Sequence, residues 1–215
     1  MNRKLNVILA AALVGYLSLV TSRGAAQDNA QKATGSIKGQ VTASGIRDTE
    51  NVLVYVEKAP GDFPPPKDPA AMDQQKMAFT PNVLPILKGT TVKFNNSDPV
   101  LHNVFWNKSA DGSYNARNMG TFGKGSSAEF VYDKEGSVTL LCNIHPEMEG
   151  HIVVLQNPYF SLASKDGAYE INGVPPGQYS VKAWYPNPKK LKEKTAPATV
   201  TAGQPTKLDF SLSRK

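Results

Sequence analysis

Glu135-Gly-Ser-Val-Thr-Leu-Leu-Cys142-Asn-Ile-His145-Pro-Glu-Met148-Glu-Gly-His-Ile-Val-Val-Leu155 is the stretch from which the fold is read. Two short apolar runs, Ser137–Leu141 and His151–Leu155, flank a polar segment interrupted by Pro146 and Gly150. Runs of this length, rich in β-branched residues and bounded by Gly and Pro, read as strands rather than helices. The segment is therefore a strand, a tight loop and a second strand. The loop carries Cys142, His145 and Met148 with two residues between each pair.

The same pattern continues in both directions. Upstream, candidate strands are Ser36–Thr42, Asn51–Glu57, Met77–Phe79, Val83–Leu87, Thr91–Asn95, Asn103–Trp106 and Ser127–Tyr132. Downstream they are Gly167–Ile171, Gly177–Tyr185, Ala198–Thr201 and Thr206–Ser213. Lys88-Gly89, Glu135-Gly136, Asp166-Gly167 and Pro175-Pro176-Gly177 supply turn signals between them. Helical periodicity is nearly absent, so the expected class is all-β. Residues 59–76, with their prolines and a polar Ala/Gln segment, read as a linker. Asn107–Gly125, polar and Gly-rich, reads as a long loop. No internal repeat is present.

The first residues have a different origin. Arg3 and Lys4 precede an apolar run from Leu5 to Val20, and small residues follow up to Ala26. This is the order of a secretory signal peptide, residues 1–26, and the run is shorter than the roughly 20 residues that span a bilayer. The expectation is an exported protein, periplasmic or extracellular, with no stable membrane anchor after cleavage. Gln27–Gly35 reads as a disordered lead-in. Loss of Arg3, Lys4 and Arg23 lowers the formal charge from +6 to +3. No dense run of Lys and Arg suggests a nucleic-acid partner.

Cys142 is the sole cysteine of a chain expected to be exported. Such a thiol is buried and inert, paired between chains, or used chemically. An isolated buried Cys usually acts as a small hydrophobe, and an isolated His is usually structural. Here a thiolate, an imidazole and a thioether share one loop, and a second imidazole, His102, lies at the end of another strand candidate. Two His, one Cys and a weak axial Met form the ligand list of a blue-copper (type 1) centre. Zinc would draw on another Cys or His, or keep a position open for water. One copper, held by His102, Cys142, His145 and Met148, is the expectation.

Met77–Leu155 resembles the cupredoxins, especially the plastocyanin and amicyanin group. The resemblance rests on Met77-Ala-Phe-Thr-Pro81, Gly89-Thr-Thr-Val-Lys-Phe-Asn95, His102-Asn103-Val104 and Cys142-Asn-Ile-His-Pro-Glu-Met148-Glu-Gly150. It implies a Greek-key β-sandwich with copper at one end, beneath a loop exposing the edge of His145, and a one-electron carrier with a protein redox partner. It also implies that Asn103 ties the ligand segments together and sets an amide N–H near the thiolate. His151 reads as a strand residue, Met119 as a loop thioether without a metal role, and Glu147 and Glu149 as solvated charges. No nucleophilic triad or phosphate loop appears, and three histidines are too few for a further multicopper centre. An enzyme is not expected. Copper delivery, or an adhesion or assembly module with a structural cupredoxin fold, are the alternatives.

Phe160–Leu212 resembles carboxypeptidase regulatory-like domains, small transthyretin-type sandwiches. Tyr169, Ile171, Tyr179, Val181 and Ala183 alternate inward, as do Leu208, Phe210 and Leu212, and Gly167 and Gly177 supply turn geometry. That pattern opens with segments like Gly35–Val41 and Asn51–Val56, which here precede the cupredoxin. The expected arrangement is therefore an insertion: residues 35–58 and 157–215 form one sandwich, and residues 77–156 the inserted cupredoxin. The tandem alternative assigns Asn51–Glu57 to the cupredoxin. The second sandwich carries no catalytic group and would take a protein or surface partner.

Overall fold

The computed structural model describes residues 33–187 and 189–214. The expected signal peptide and most of the expected lead-in lie outside them. The chain begins with β1 (Gly35–Ala43) and β2 (Leu53–Val56). It then runs through β3 (Ala70–Gln75), β4 (Ala78–Thr80), β5 (Val83–Leu87), β6 (Thr90–Asn96), β7 (His102–Trp106), β8 (Arg117–Phe122), β9 (Ser127–Tyr132), β10 (Gly136–Leu141) and β11 (Glu149–Leu155). It ends with β12 (Phe160–Leu162), β13 (Ala168–Val174), β14 (Gly177–Trp184), β15 (Lys194–Val200), β16 (Pro205–Lys207) and β17 (Phe210–Leu212). Among the described residues every regular element is a strand, so the fold is all-β.

Pairing divides these strands into four sheets. The first and last strands share two of them: β13-β1-β16, with β17 also on β1, and β12-β2-β14-β15. The middle strands form the other two, β4-β3-β6-β9 and β5-β11-β10-β7-β8. Each pair of sheets encloses its own apolar cluster. Ile37, Val54, Val56, Ile171, Val181 and Phe210 fill the first; Met72, Phe94, Val104, Trp106, Leu140 and Ile152 fill the second.

β2 pairs with β12 and β14, in the register Val54↔Ser161 and Val56↔Val181. Asn51–Glu57 thus lies in the sheets of the outer strands. Its near-continuous apolar run has a physical cause, because both faces are covered. Val52, Val54 and Val56 point into the outer core. Leu53 points the other way, into a third cluster with Val83, Val153 and Leu155, packed by Tyr55, Phe160, Leu162 and Trp184. β11 is built likewise: Ile152 and Val154 face the inner core, Val153 and Leu155 this junction. The crossing points are laced together. Gln156 accepts the Ala59 N–H at 3.0 Å and donates to the Ala59 carbonyl at 3.1 Å, and Asn157 donates to the Val56 carbonyl at 2.9 Å.

Four expectations need correction. The 59–76 linker contains β3, which runs parallel to β6 with Met72 opposite Phe94. Met72 and Gln74 are fully buried there. The segment Ala-Ala-Met-Asp-Gln-Gln has weak strand propensity, and pairing overrides it. The Asn107–Gly125 loop contains β8, an edge strand on β7, whose polar residues face outward. The expected strand Thr206–Ser213 is split into β16 and β17, which pair parallel to successive parts of β1. Between them the Leu208 carbonyl approaches so closely that a Cβ on Gly39 would clash with it. Gly167 does hold a left-handed turn, with φ 93°. Gly177 does not; it lies beneath the Tyr179 ring, where a Cβ would make a 3.3 Å contact.

Candidate metal centre

β7 and β10 are neighbours, with Phe105 opposite Leu141. This pairing brings His102, the first residue of β7, beside Cys142, which directly follows β10. The loop then turns back: the Met148 N–H donates to the His145 carbonyl at 3.0 Å, closing a turn that Pro146 favours. Glu149 starts β11, which pairs with β10. Two adjacent strand ends and one tight turn thus deliver three donor residues to one place.

The donor atoms of His102, Cys142 and His145 all lie within 4.8 Å of one another. The two Nδ1 atoms are 3.0 Å apart, and Cys142 Sγ is 3.9 Å from His145 Nδ1. These separations suit one ion with metal–nitrogen and metal–sulfur bonds of roughly 2.0–2.3 Å. His102 is fully buried and Cys142 nearly so, whereas His145 is half-buried. Cys142 is a free thiol. Met148 is buried in the same apolar cluster as Cys142. Two imidazoles and a thiol, with a thioether buried in the same apolar cluster as the thiol, are a donor set of the kind copper takes.

Asn103 makes the contacts expected of it. Its backbone N–H reaches Cys142 Sγ at 3.4 Å, and its side-chain carbonyl accepts the Asn143 N–H at 3.4 Å. Its amide nitrogen donates to Asn118 Oδ1 at 2.9 Å and to the Gly120 carbonyl at 2.8 Å. Asn103 therefore binds β7, β8 and the Cys142 loop together. Such outer contacts orient donors and tune a metal.

Sequence reading missed Asp98. Its carboxylate lies 2.7 Å from His102 Nε2, and because a carboxylate only accepts, Nε2 is the protonated nitrogen. The lone pair of Nδ1 then faces the donor group. The Met77 amide foremost, with the Lys76 amide and His102, holds the Asp98 carboxyl below the usual range against the opposing effect of burial. The clue was a carboxylate four residues before His102, but nothing local marks it as a partner.

The remaining candidates lie elsewhere. His151 is buried in β11, with Nε2 3.1 Å from Glu149 Oε1 and its ring edge-on to Trp184 of β14. Burial lowers its pKa, with Glu149 opposing. Met119 receives the Arg117 Nε–H at 3.3 Å. Glu147 is exposed.

Residues 67–155 match the model of the copper-binding proteins of the plastocyanin/azurin family. Similar solved structures include a reduced amicyanin variant, 24% identical over 41% of this chain and 84% of that one, with a TM-score of 0.38. An oxidised amicyanin variant is 25% identical over 40% of this chain and 80% of that one, at a TM-score of 0.37. No curated protein matches. The metal of this segment is copper, one ion.

Proposed function

We propose that the chain is an exported type 1 copper protein carrying one electron at a time, in which His102, Cys142 and His145 would hold the copper and Met148 would add a weaker thioether donor. The observation that carries this reading is the convergence of two Nδ1 atoms and one Sγ at a buried point between β7 and β10. Copper bound there supplies a one-electron couple. The protein supplies the frame. Asn103 and the paired strands keep the donors in place, and burial excludes water from His102 and Cys142, so little rearrangement accompanies a change of charge.

His145, half-buried, is the exit for the electron. Large exposed apolar residues are few among the described residues: Met77, Val100, Leu101, Val131 and Ile144. Val100 and Leu101 precede His102, Ile144 precedes His145, and the Met77 amide shares a carboxylate with His102. An apolar surface of this kind suits brief docking of a protein redox partner. The outer strands, residues 35–58 and 157–215, form in this reading a regulatory-like sandwich that serves as an interaction module without catalysis.

The test is the visible spectrum of the oxidised protein with about one copper bound. An intense thiolate-to-copper band is expected, and Cys142→Ser should abolish it, since a hydroxyl is neither soft nor ionised at neutral pH. A blue serine variant refutes the thiolate assignment. Tight Cu(I) binding without any such band points instead to copper delivery.

A further inference from the structure

The hairpin between β3 and β4 turns through Lys76 and Met77, both in the left-handed region with φ 56° and 54°. Gln75 pairs with Ala78 around it, which makes a two-residue loop of the type I′ kind. Such loops favour Asn-Gly, because side chains with a Cβ resist left-handed backbone. Lys-Met is an unfavourable choice, so the turn must be held from outside.

Asp98 holds it. Its Oδ1 accepts the Lys76 N–H at 2.6 Å and its Oδ2 the Met77 N–H at 2.8 Å. The same Oδ2 accepts from His102 Nε2 at 2.7 Å. Two oxygens thus serve three donors, at a residue that is only 7% exposed. Asn96 fixes the loop that carries it. Asn96 Oδ1 accepts the Asp98 N–H at 2.9 Å, and its amide nitrogen donates to the Val100 and Phe122 carbonyls at 2.9 and 2.8 Å.

We propose that Asp98 is a positioning residue for the copper centre. It keeps Nδ1 of His102 turned toward the donor group, places a negative charge behind the ring, and is itself held by the amides of the Lys76–Met77 turn. The inference rests on the copper reading above. A carboxylate behind a ligating imidazole fixes its tautomer and raises its basicity, and a negative charge there favours the more highly charged metal. An amide cannot replace it, because an NH₂ group would face at least one of the three donors.

Asp98→Asn tests this in the full chain with three measurements. In the metal-free protein, nitrogen NMR of His102 should show the Nε2-protonated tautomer in the wild type and a mixture in the variant. Copper affinity by competition should fall by about 10–100-fold, and the reduction potential should become more positive. The double variant K76N/M77G installs the Asn-Gly turn that needs no carboxylate, and D98N is repeated in that background. There the stability lost to D98N should shrink while the tautomer, affinity and potential changes persist. The repeat also serves if D98N alone unfolds. An unchanged tautomer and affinity in D98N overturns the proposal, as does loss of the copper effects in the Asn-Gly background, which would trace them to turn distortion. Absence of the thiolate–copper band in the wild type refutes the type 1 reading instead.

Discussion

Leu53→Ala probes the junction at which the two sandwiches meet. Leu53 belongs to β2 of the outer sheets, yet its fully buried side chain packs on Val83, Val153 and Leu155 of β5 and β11. Truncating a buried Leu to Ala costs about 2–5 kcal/mol, made up of lost transfer energy and the cavity left behind. The surroundings here are strands held in sheet ladders, β2 and β11 on both sides, so collapse into the cavity is limited and the upper half of that range is expected. Against a domain stability of about 5–15 kcal/mol this is a large fraction. Val54→Ala is the control. Val54 is the next residue of the same strand and fully buried, but it faces the outer core alone. Its two methylene equivalents, at about 0.8 kcal/mol each, give roughly 1.6 kcal/mol before any cavity term. Guanidinium unfolding would be followed by the visible copper band for the inner sandwich and by Trp184 fluorescence for the junction, with Trp106 replaced by Phe throughout. L53A should lower both midpoints together. V54A should lower the Trp184 midpoint more than that of the copper band. A loss below about 1 kcal/mol in L53A, less than one full side-chain burial, would refute the packed junction, as would a shift of one probe alone.

Met148→Leu should keep copper and raise the reduction potential by removing a donor to Cu(II), while Met148→Gln should lower it, because axial thioether bonds are long and weak; loss of copper in both variants would make Met148 a primary ligand. His151 should contribute an acid-sensitive component to stability. Burial holds its pKa below the unfolded value of about 6.5, so the unfolded chain takes up the proton first as pH falls. Stability is then lost from about pH 6.5 down to the folded pKa and levels below it. The stability advantage of the wild type over His151→Gln, measured by denaturant titration in steps from pH 7.5 to 5, should narrow through that window; parallel curves would show that His151 does not titrate with unfolding.

The place of Asp98 and of β3 shows where reading along the chain stops. Ala70–Gln75 has neither alternation of apolar residues nor β-branched side chains, so no local signal marks it. It becomes a strand because β6 offers a free edge and the inner core has room for Met72. Asp98 is one carboxylate in a turn-prone segment, Asn95-Asn96-Ser97-Asp98-Pro99. It acquires a role only when the β3–β4 hairpin and His102 arrive at the same carboxylate. Asn103 was expected only through the cupredoxin resemblance of His102-Asn103-Val104, not from its own local chemistry.

What the sequence by itself determined is the chemistry: a thiol, two imidazoles and a thioether, three of them spaced on one short loop between apolar strands. Residue type sets affinity for a soft metal, and the spacing on a tight loop sets which of these groups can converge, so neither needs the rest of the fold to be read. The period-two patterning determined the all-β class for the same local reason. Only the tertiary structure decided the both-faced burial of β2 and β11, the split of the last strand around Gly39, and the carboxylate behind His102. Each depends on groups brought together from distant parts of the chain. Contacts of that range are set by how sheets stack and which edges remain to be paired, and they leave no periodic trace along a single sequence.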